Sequence, residues 1–282
     1  MARGASGMAD PRLYQIGTLA SLLVYGMGWL DFDITASRVV LLLTTVLATQ
    51  WVCDRLVGGG ARFGMTARSA LISGLSLCLL LRTNRADLAA LAAIVAIASK
   101  FLIRVHGKHV FNPTNGGIVA MLLLTNQVWV SPGQWGAAAF FAFLMACAGS
   151  LVVNRAARSD VTFAFIACYC ALLLGRSFYL GEPLTIPLHR LESGALLLFT
   201  FFMISDPKTT PDSPMGRLLF AALVAFGAWY VQFRLFRTNG LLWSLAACST
   251  IVPLIDRIAP GSRYAWNAPR STSTPAPALR AA

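Results

Sequence analysis

The chain has 282 residues, of which 57% are hydrophobic and only 12% charged, with a formal net charge of +12 and a mean hydropathy of +0.66. Soluble domains carry about 25% charged residues, so this composition excludes an ordinary soluble catalytic domain. The basic residues sit in short clusters between apolar runs, which is the pattern of membrane topology determinants rather than of a nucleic-acid-binding module.

In chain order, a polar tail over residues 1–12 precedes the first apolar run. No small-residue cleavage site follows that run, so it reads as a retained helix and not as a removed signal peptide. Apolar segments then fall at about 13–30, 34–53, 69–81, 86–104, 115–130, 133–153, 160–180, 193–205, 214–236 and 239–256. Most approach the roughly 20 residues that a bilayer core requires of a helix. The fold class is therefore all-α integral membrane, with about ten transmembrane helices in a domain over 13–258. The tail over 259–282 is rich in Pro, Ser, Thr, Ala and Arg and is expected to be disordered, because it cannot bury enough apolar surface to order itself. Cys53, Cys78, Cys147, Cys168, Cys170 and Cys248 lie mostly inside apolar runs without disulfide spacing, and read as small apolar residues.

Ten spans place both termini on one side. That side would carry sixteen Lys and Arg residues against seven on the other. The asymmetry predicts a multi-pass protein of the bacterial cytoplasmic (inner) membrane with both termini in the cytoplasm.

The third and eighth segments, 69–81 and 193–205, rise only about 20 Å as straight helices, too little for a hydrocarbon core of about 30 Å. They occupy equivalent places in two halves, 13–131 and 132–258. Each is introduced by an arginine and a Ser-Gly pair, Arg68 with Ser73-Gly74 and Arg190 with Ser193-Gly194. Thr114-Asn115-Gly116 and Thr238-Asn239-Gly240 likewise open the fifth and tenth segments, and the two echoes are offset by 120 and 124 residues. Chance recurrence in a chain rich in Gly, Leu, Ser and Thr is the competing explanation. Five spans per half would make the repeats inverted, with short broken third and eighth helices and a midplane site between the halves.

Two stretches could carry chemistry. In the first, Asn112-Pro113 precedes Asn115-Gly116-Gly117. Proline suits a first helical turn, and Asn112 can accept from a free backbone N–H. This is either a plain helix start or a helix end whose free N–H groups hold an anionic or carbonyl-bearing ligand. In the second, Phe201-Phe202-Met203-Ile204-Ser205-Asp206-Pro207 runs on to Thr209-Thr210-Pro211, and places a carboxylate at the end of a short apolar helix that proline forbids to continue. The ligand-binding candidates are Ser73, Gly74, Asn112, Asn115, Ser193, Gly194, Asp206, Thr209, Thr210 and Asn239. His106 and His109 are three apart, but no carboxylate or cysteine near them in sequence completes a metal set. No phosphate loop and no nucleophile elbow appears, so no catalytic residue is expected.

At these residues the chain resembles the D subunit of the Rnf complex and the B subunit of the sodium-translocating NADH:quinone oxidoreductase. The resemblance runs from about Asp10 to Ile258. It is carried by Lys100 to Gly117 around Phe111-Asn112-Pro113, and by Leu191-Glu192-Ser193-Gly194 through Asp206-Pro207 to Thr210-Pro211. It implies two inverted five-helix repeats similar to urea channels, and electron transfer coupled to ion movement. Family members carry flavin mononucleotide esterified to the threonine of an S-G-A-T motif in a long outer loop. Here that loop is only Val130-Ser131-Pro132-Gly133-Gln134-Trp135, and Ser193-Gly194-Ala195 continues into Leu196. No covalent FMN is expected. The chain is similar to compact relatives such as those associated with enediyne biosynthesis clusters. The open alternatives are a redox-associated subunit holding non-covalent flavin or quinone among other redox subunits, a channel or transporter for a small solute, and an assembly protein in the bilayer.

Overall fold

A chain in hydrocarbon must satisfy its backbone hydrogen bonds internally, and the computed structural model of this protein is accordingly built almost wholly of helices. The structure describes residues 10–30, 32–57, 63–131 and 159–264. The expected sixth segment, 133–153, most of the two tails and most of the loop at 130–135 lie outside them.

The helices are α1 Pro11–Trp29, α2 Ala36–Val57, α3 Phe63–Leu80, α4 Ala86–Leu102, α5 Pro113–Leu124, α6 Ser159–Leu180 and α7 Thr185–Leu191. They continue with α8 Gly194–Leu198, which runs into a π-helical turn Phe199–Met203, then α9 Pro214–Phe233, α10 Gly240–Ser249 and α11 Val252–Ile258. Three of them, α2, α6 and α9, are long and apolar enough by themselves to cross a membrane. The pair α10 and α11, bent by 50°, makes a fourth if taken as one span. Pro253 sits in the first turn of α11, where it has no N–H to continue the ladder from α10.

Three helices start alike. Asp10, Asn112 and Ser213 each precede a proline in the first turn, and each side chain accepts from a backbone N–H of that turn. The proline loses nothing there because its N–H would be unpaired anyway.

The short segments are distributed differently from the expectation. α3 is a continuous helix of 18 residues that passes through Ser73-Gly74 without a break, so the third helix is not a short broken one. Its added first turns contain Thr66 and Arg68, which donate to Asp54 (2.6 Å) and Asp10 (2.8 Å); these partners let polar residues join the helix. The fifth segment is the shorter one. α5 has 12 residues and rises about 18 Å, because the chain beyond Leu124 opens into a strand. Trp129–Val130 (β4) pairs antiparallel with Leu81–Arg82 (β1), tying the ends of α3 and α5 together. The eighth segment is short: α8 runs on into the π turn as one apolar helix over Gly194–Met203, with α7 lying before it. Residues 194 and 196–203 of it are buried, as irregular backbone at membrane depth must be.

In the first half α2 packs on α3 and α4, and α4 on α5; in the second, α6 packs on α9 and α9 on α10. α5 meets α10 across the halves. Two close approaches seat the short helices. A Cβ on Gly117 would lie 2.8 Å from the carbonyl oxygen of Ala92, and one on Gly240 would lie 2.7 Å from that of Ala228. Glycine at both positions lets backbone lie on backbone.

Candidate functional site

The N-terminus of α5 and the C-terminus of the π turn meet. Asn112 Nδ2 donates to Asp206 Oδ2 (3.3 Å) and to the carbonyl of Met203 (3.4 Å), while Asn112 Oδ1 accepts from Asn115 N (3.2 Å). Asp206 is fixed from its other side too. Its Oδ1 accepts from Lys208 N (3.0 Å), and its carbonyl accepts from the hydroxyls of Thr209 (3.3 Å) and Thr210 (3.1 Å). Pro207 and Pro211 flank this knot and stop the helix there. Asn115 is fully buried, and neither atom of its side-chain amide has a hydrogen-bond partner.

A second polar group reaches the same region from α2, α3 and α4. Lys100 is 4% exposed and Gln50 3%. Lys100 Nζ donates to Gln50 Oε1 (3.2 Å), Gln50 Nε2 to Asp54 Oδ1 (3.0 Å), and Thr66 Oγ1 to Asp54 Oδ2 (2.6 Å). Of the acids acting on Lys100, Asp206 attracts it most strongly and Asp54 next. A buried ammonium without opposing charge is costly; here the Gln50 amide bonds it, and Asp206 and Asp54 attract it from beyond ion-pair distance.

At this end, Lys108 Nζ joins Asp212 (3.0 Å) and Asp256 of α11 (2.8 Å) at a cavity of about 450 Å³. His109 lies on the hairpin of Arg104–Val105 (β2) and Lys108–His109 (β3). Burial, aided by the charges of Arg104 and Lys100, pushes its pKa down to about 4. Its Nδ1 is 2.9 Å from the carbonyl of Lys100, which can only accept, so Nδ1 carries the proton of the neutral ring. Burial also lowers the Lys208 pKa, against the attraction of Asp206. Among the described residues no group of three His, Cys, Asp or Glu could hold a metal.

Of the sequence candidates, Asn112, Asn115, Asp206, Thr209 and Thr210 thus come together. Ser73 is one step away, its carbonyl accepting from Thr114 Oγ1 (3.4 Å). Gly74 faces α2, where a Cβ would lie 2.8 Å from Val46. Ser193 and Gly194 open α8. Asn239 lies at the far end of α9 with a left-handed φ of 61° and no side-chain cap bond. Gln50, Asp54, Thr66 and Lys100 are not among the sequence candidates. The signal available for them is ionisable and amide side chains inside apolar runs, with Gln50 and Asp54 one helical turn apart.

A model of the NQR2, RnfD, RnfE family matches residues 123–264 of this chain. The chain belongs to that family. The NQR2, RnfD, RnfE match contains Ser193 to Pro211 with Asp206, whereas Asn112 and Asn115 fall before its start. The D subunit of the ion-translocating oxidoreductase complex from Escherichia coli K12 is 26% identical over 131 residues, 46% of this chain and 33% of that protein. The protein of that name from Shigella boydii serotype 18 shows the same identity and coverage. The chain thus spans about a third of the length of the curated relatives it matches.

Proposed function

We propose that the protein is a membrane subunit of Rnf/Nqr type in the bacterial cytoplasmic membrane, working in electron-transport-linked translocation of an ion or small solute beside other redox subunits. The observation that carries this reading is the Asn112–Asp206 junction, a carboxylate held among buried helix ends. An ionisable group at membrane depth is costly and marks a substrate or ion path. Lys100 as counter-charge keeps the region near neutrality while it is empty of cargo.

The matching packing of α2, α4 and α5 in one half and α6, α9 and α10 in the other supports two inverted repeats, with the site between them near the midplane. A non-covalent flavin or quinone between the halves is the cofactor proposed for this subunit. Family membership and the names of the relatives support the redox context.

The test is redox-driven ion uptake by inverted membrane vesicles of the native organism, comparing the wild type with Asp206→Asn. The substitution is expected to cut uptake at least tenfold while the protein remains in the membrane at normal abundance. Unchanged uptake would refute the role of Asp206. Solute entry that proceeds in resting vesicles and ignores electron donors would assign the scaffold to passive solute movement.

A further inference from the structure

Arg82 lies at the end of the bundle opposite Asp206, since it follows α3 and α4 runs from beside it to Lys100. It is 5% exposed. Its Nη1 donates to the carbonyls of Cys78 (2.8 Å) and Leu81 (2.9 Å), closing the C-terminus of α3. Its Nη2 is buried without any hydrogen-bond partner. None of the ion pairs among the described residues includes it. The Phe32 ring, 5.7 Å from its Cζ, and the attraction of Asp33 answer part of the charge, but the Nη2 donor is left to satisfy.

Arg82 lines a cavity of about 180 Å³ together with Asp33, Thr35, Arg38, Thr83 and Asn84. Arg38 is held at its rim by donating to the carbonyls of Arg85 (2.7 Å) and Asn84 (3.5 Å). Thr83 Oγ1 accepts from Arg85 N (3.2 Å), which leaves its hydroxyl proton to donate. The space is smaller than the roughly 300–1,000 Å³ of sites for drug-sized ligands, yet several times the roughly 30 Å³ that one water occupies in the liquid.

We propose that this cavity is a binding site for a small oxyanion of the phosphate type, held between the Arg82 and Arg38 guanidinium groups. Planar arginine forks match phosphate oxygens two at a time. Asp33 opposes the anion and sets a limit on its affinity. Trp29 and Val40 nearby in sequence are 74% and 60% exposed, an apolar flank suited to lipid. The phosphate therefore has two sources, the headgroup of a phospholipid or the free ion. The site is separate from the Asp206 region and stands whether or not the translocation reading does.

The experiment is thermal unfolding of the purified full-length protein, delipidated in neutral detergent. Additions are inorganic phosphate, potassium chloride at equal ionic strength, phosphatidylglycerol, or a phosphate-free galactosyl diacylglycerol. A saturable rise in Tm is expected with phosphatidylglycerol or inorganic phosphate and not with the other two. Response to phosphatidylglycerol alone assigns the lipid; response to the free ion assigns a solute site. Arg82→Gln should abolish the response. Because that variant also loses the cap of α3, Arg38→Gln and Asp33→Asn carry the test if it fails to fold. The first should raise the half-saturating concentration at least tenfold, and the second should lower it. No response in the wild type, an equal response to the galactolipid, or half-saturation unmoved by both variants would overturn the proposal.

Discussion

Replacing Lys100 by methionine keeps the length of the side chain and removes its charge. Gln50 Oε1 then loses the donor 3.2 Å away, and Asp206 and Asp54 lose the cation that faces both. Lys100 bonds Gln50 and forms none of the ion pairs among the described residues, so the loss should lie below that of a broken buried pair, at about 2–3 kcal/mol for the unpaired buried acceptor and the weakened attraction. Asp206→Asn alone leaves Lys100 its bond to Gln50 and the attraction of Asp54, so a smaller loss of about 1–2 kcal/mol is expected. In the double variant Lys100→Met with Asp206→Asn neither charge of that pair remains, and the total loss should fall short of the sum by at least about 1 kcal/mol. Reversible unfolding in mixed micelles, followed by tryptophan fluorescence, measures all three. Strict additivity would mean that Lys100 and Asp206 do not sense each other, and the electrostatic account of the site would be wrong.

His109 has a folded pKa of about 4 against an ordinary 6.5, so the unfolded chain takes up the proton first as pH falls. Stability should be full above pH 6.5 and drain away toward pH 4, by up to about 3 kcal/mol before discounting for partial exposure, and a pH series of Tm values should show this slope flattened in His109→Gln. Gly117→Val places a side chain against the Ala92 carbonyl and Ala96, 2.8 Å from each. Because one neighbour is backbone and cannot move aside, a loss at the upper end of about 1–3 kcal/mol is expected in the same unfolding assay. A denaturing gel under ultraviolet light should show no fluorescent band at 30.3 kDa; a band that survives denaturation would make Thr209 and Thr210 the flavin acceptors to mutate. Reporter fusions at both termini should be active only in the cytoplasm, and an enzyme active only outside would reverse the proposed topology.

Hydropathy locates the helices whose length and apolar content agree, as with α2, α4, α6 and α9. It fails where polar residues find distant partners. Thr66 and Arg68 look like loop in a window of sequence, but Asp54 and Asp10 satisfy them and α3 begins at Phe63, ahead of the apolar run at about 69. The apolar run from 115 to 130 looks like one span; its last residues instead pair with Leu81–Arg82, a contact that no local pattern encodes. Proline punctuation makes Asn112 and Asp206 visible individually. Their meeting spans 94 residues of sequence and needs the fold. Lys100 reads in sequence as one more basic residue counting toward topology, and its burial against Gln50 emerges only once α2 and α4 are packed.

The junction at Asn112 also has a reason to be asparagine. α5 begins and the π turn ends at one place, so free N–H groups of one helix and free carbonyls of another face a region that water does not readily reach. A single side chain that both donates and accepts can serve the two. The Asn112 amide does so, with Nδ2 on Met203 O and the Asp206 carboxylate and Oδ1 on Asn115 N. Aspartate would keep the cap but set a second carboxylate against Asp206, and serine is too short to span both helix ends. Asn115, one turn further in, has the same two-sided amide with no protein partner for either end. Desolvating such a group is unfavourable unless something else occupies it. The helix start therefore combines one amide that ties α5 to the end of the π turn with a second, one turn further in, whose amide meets no protein partner.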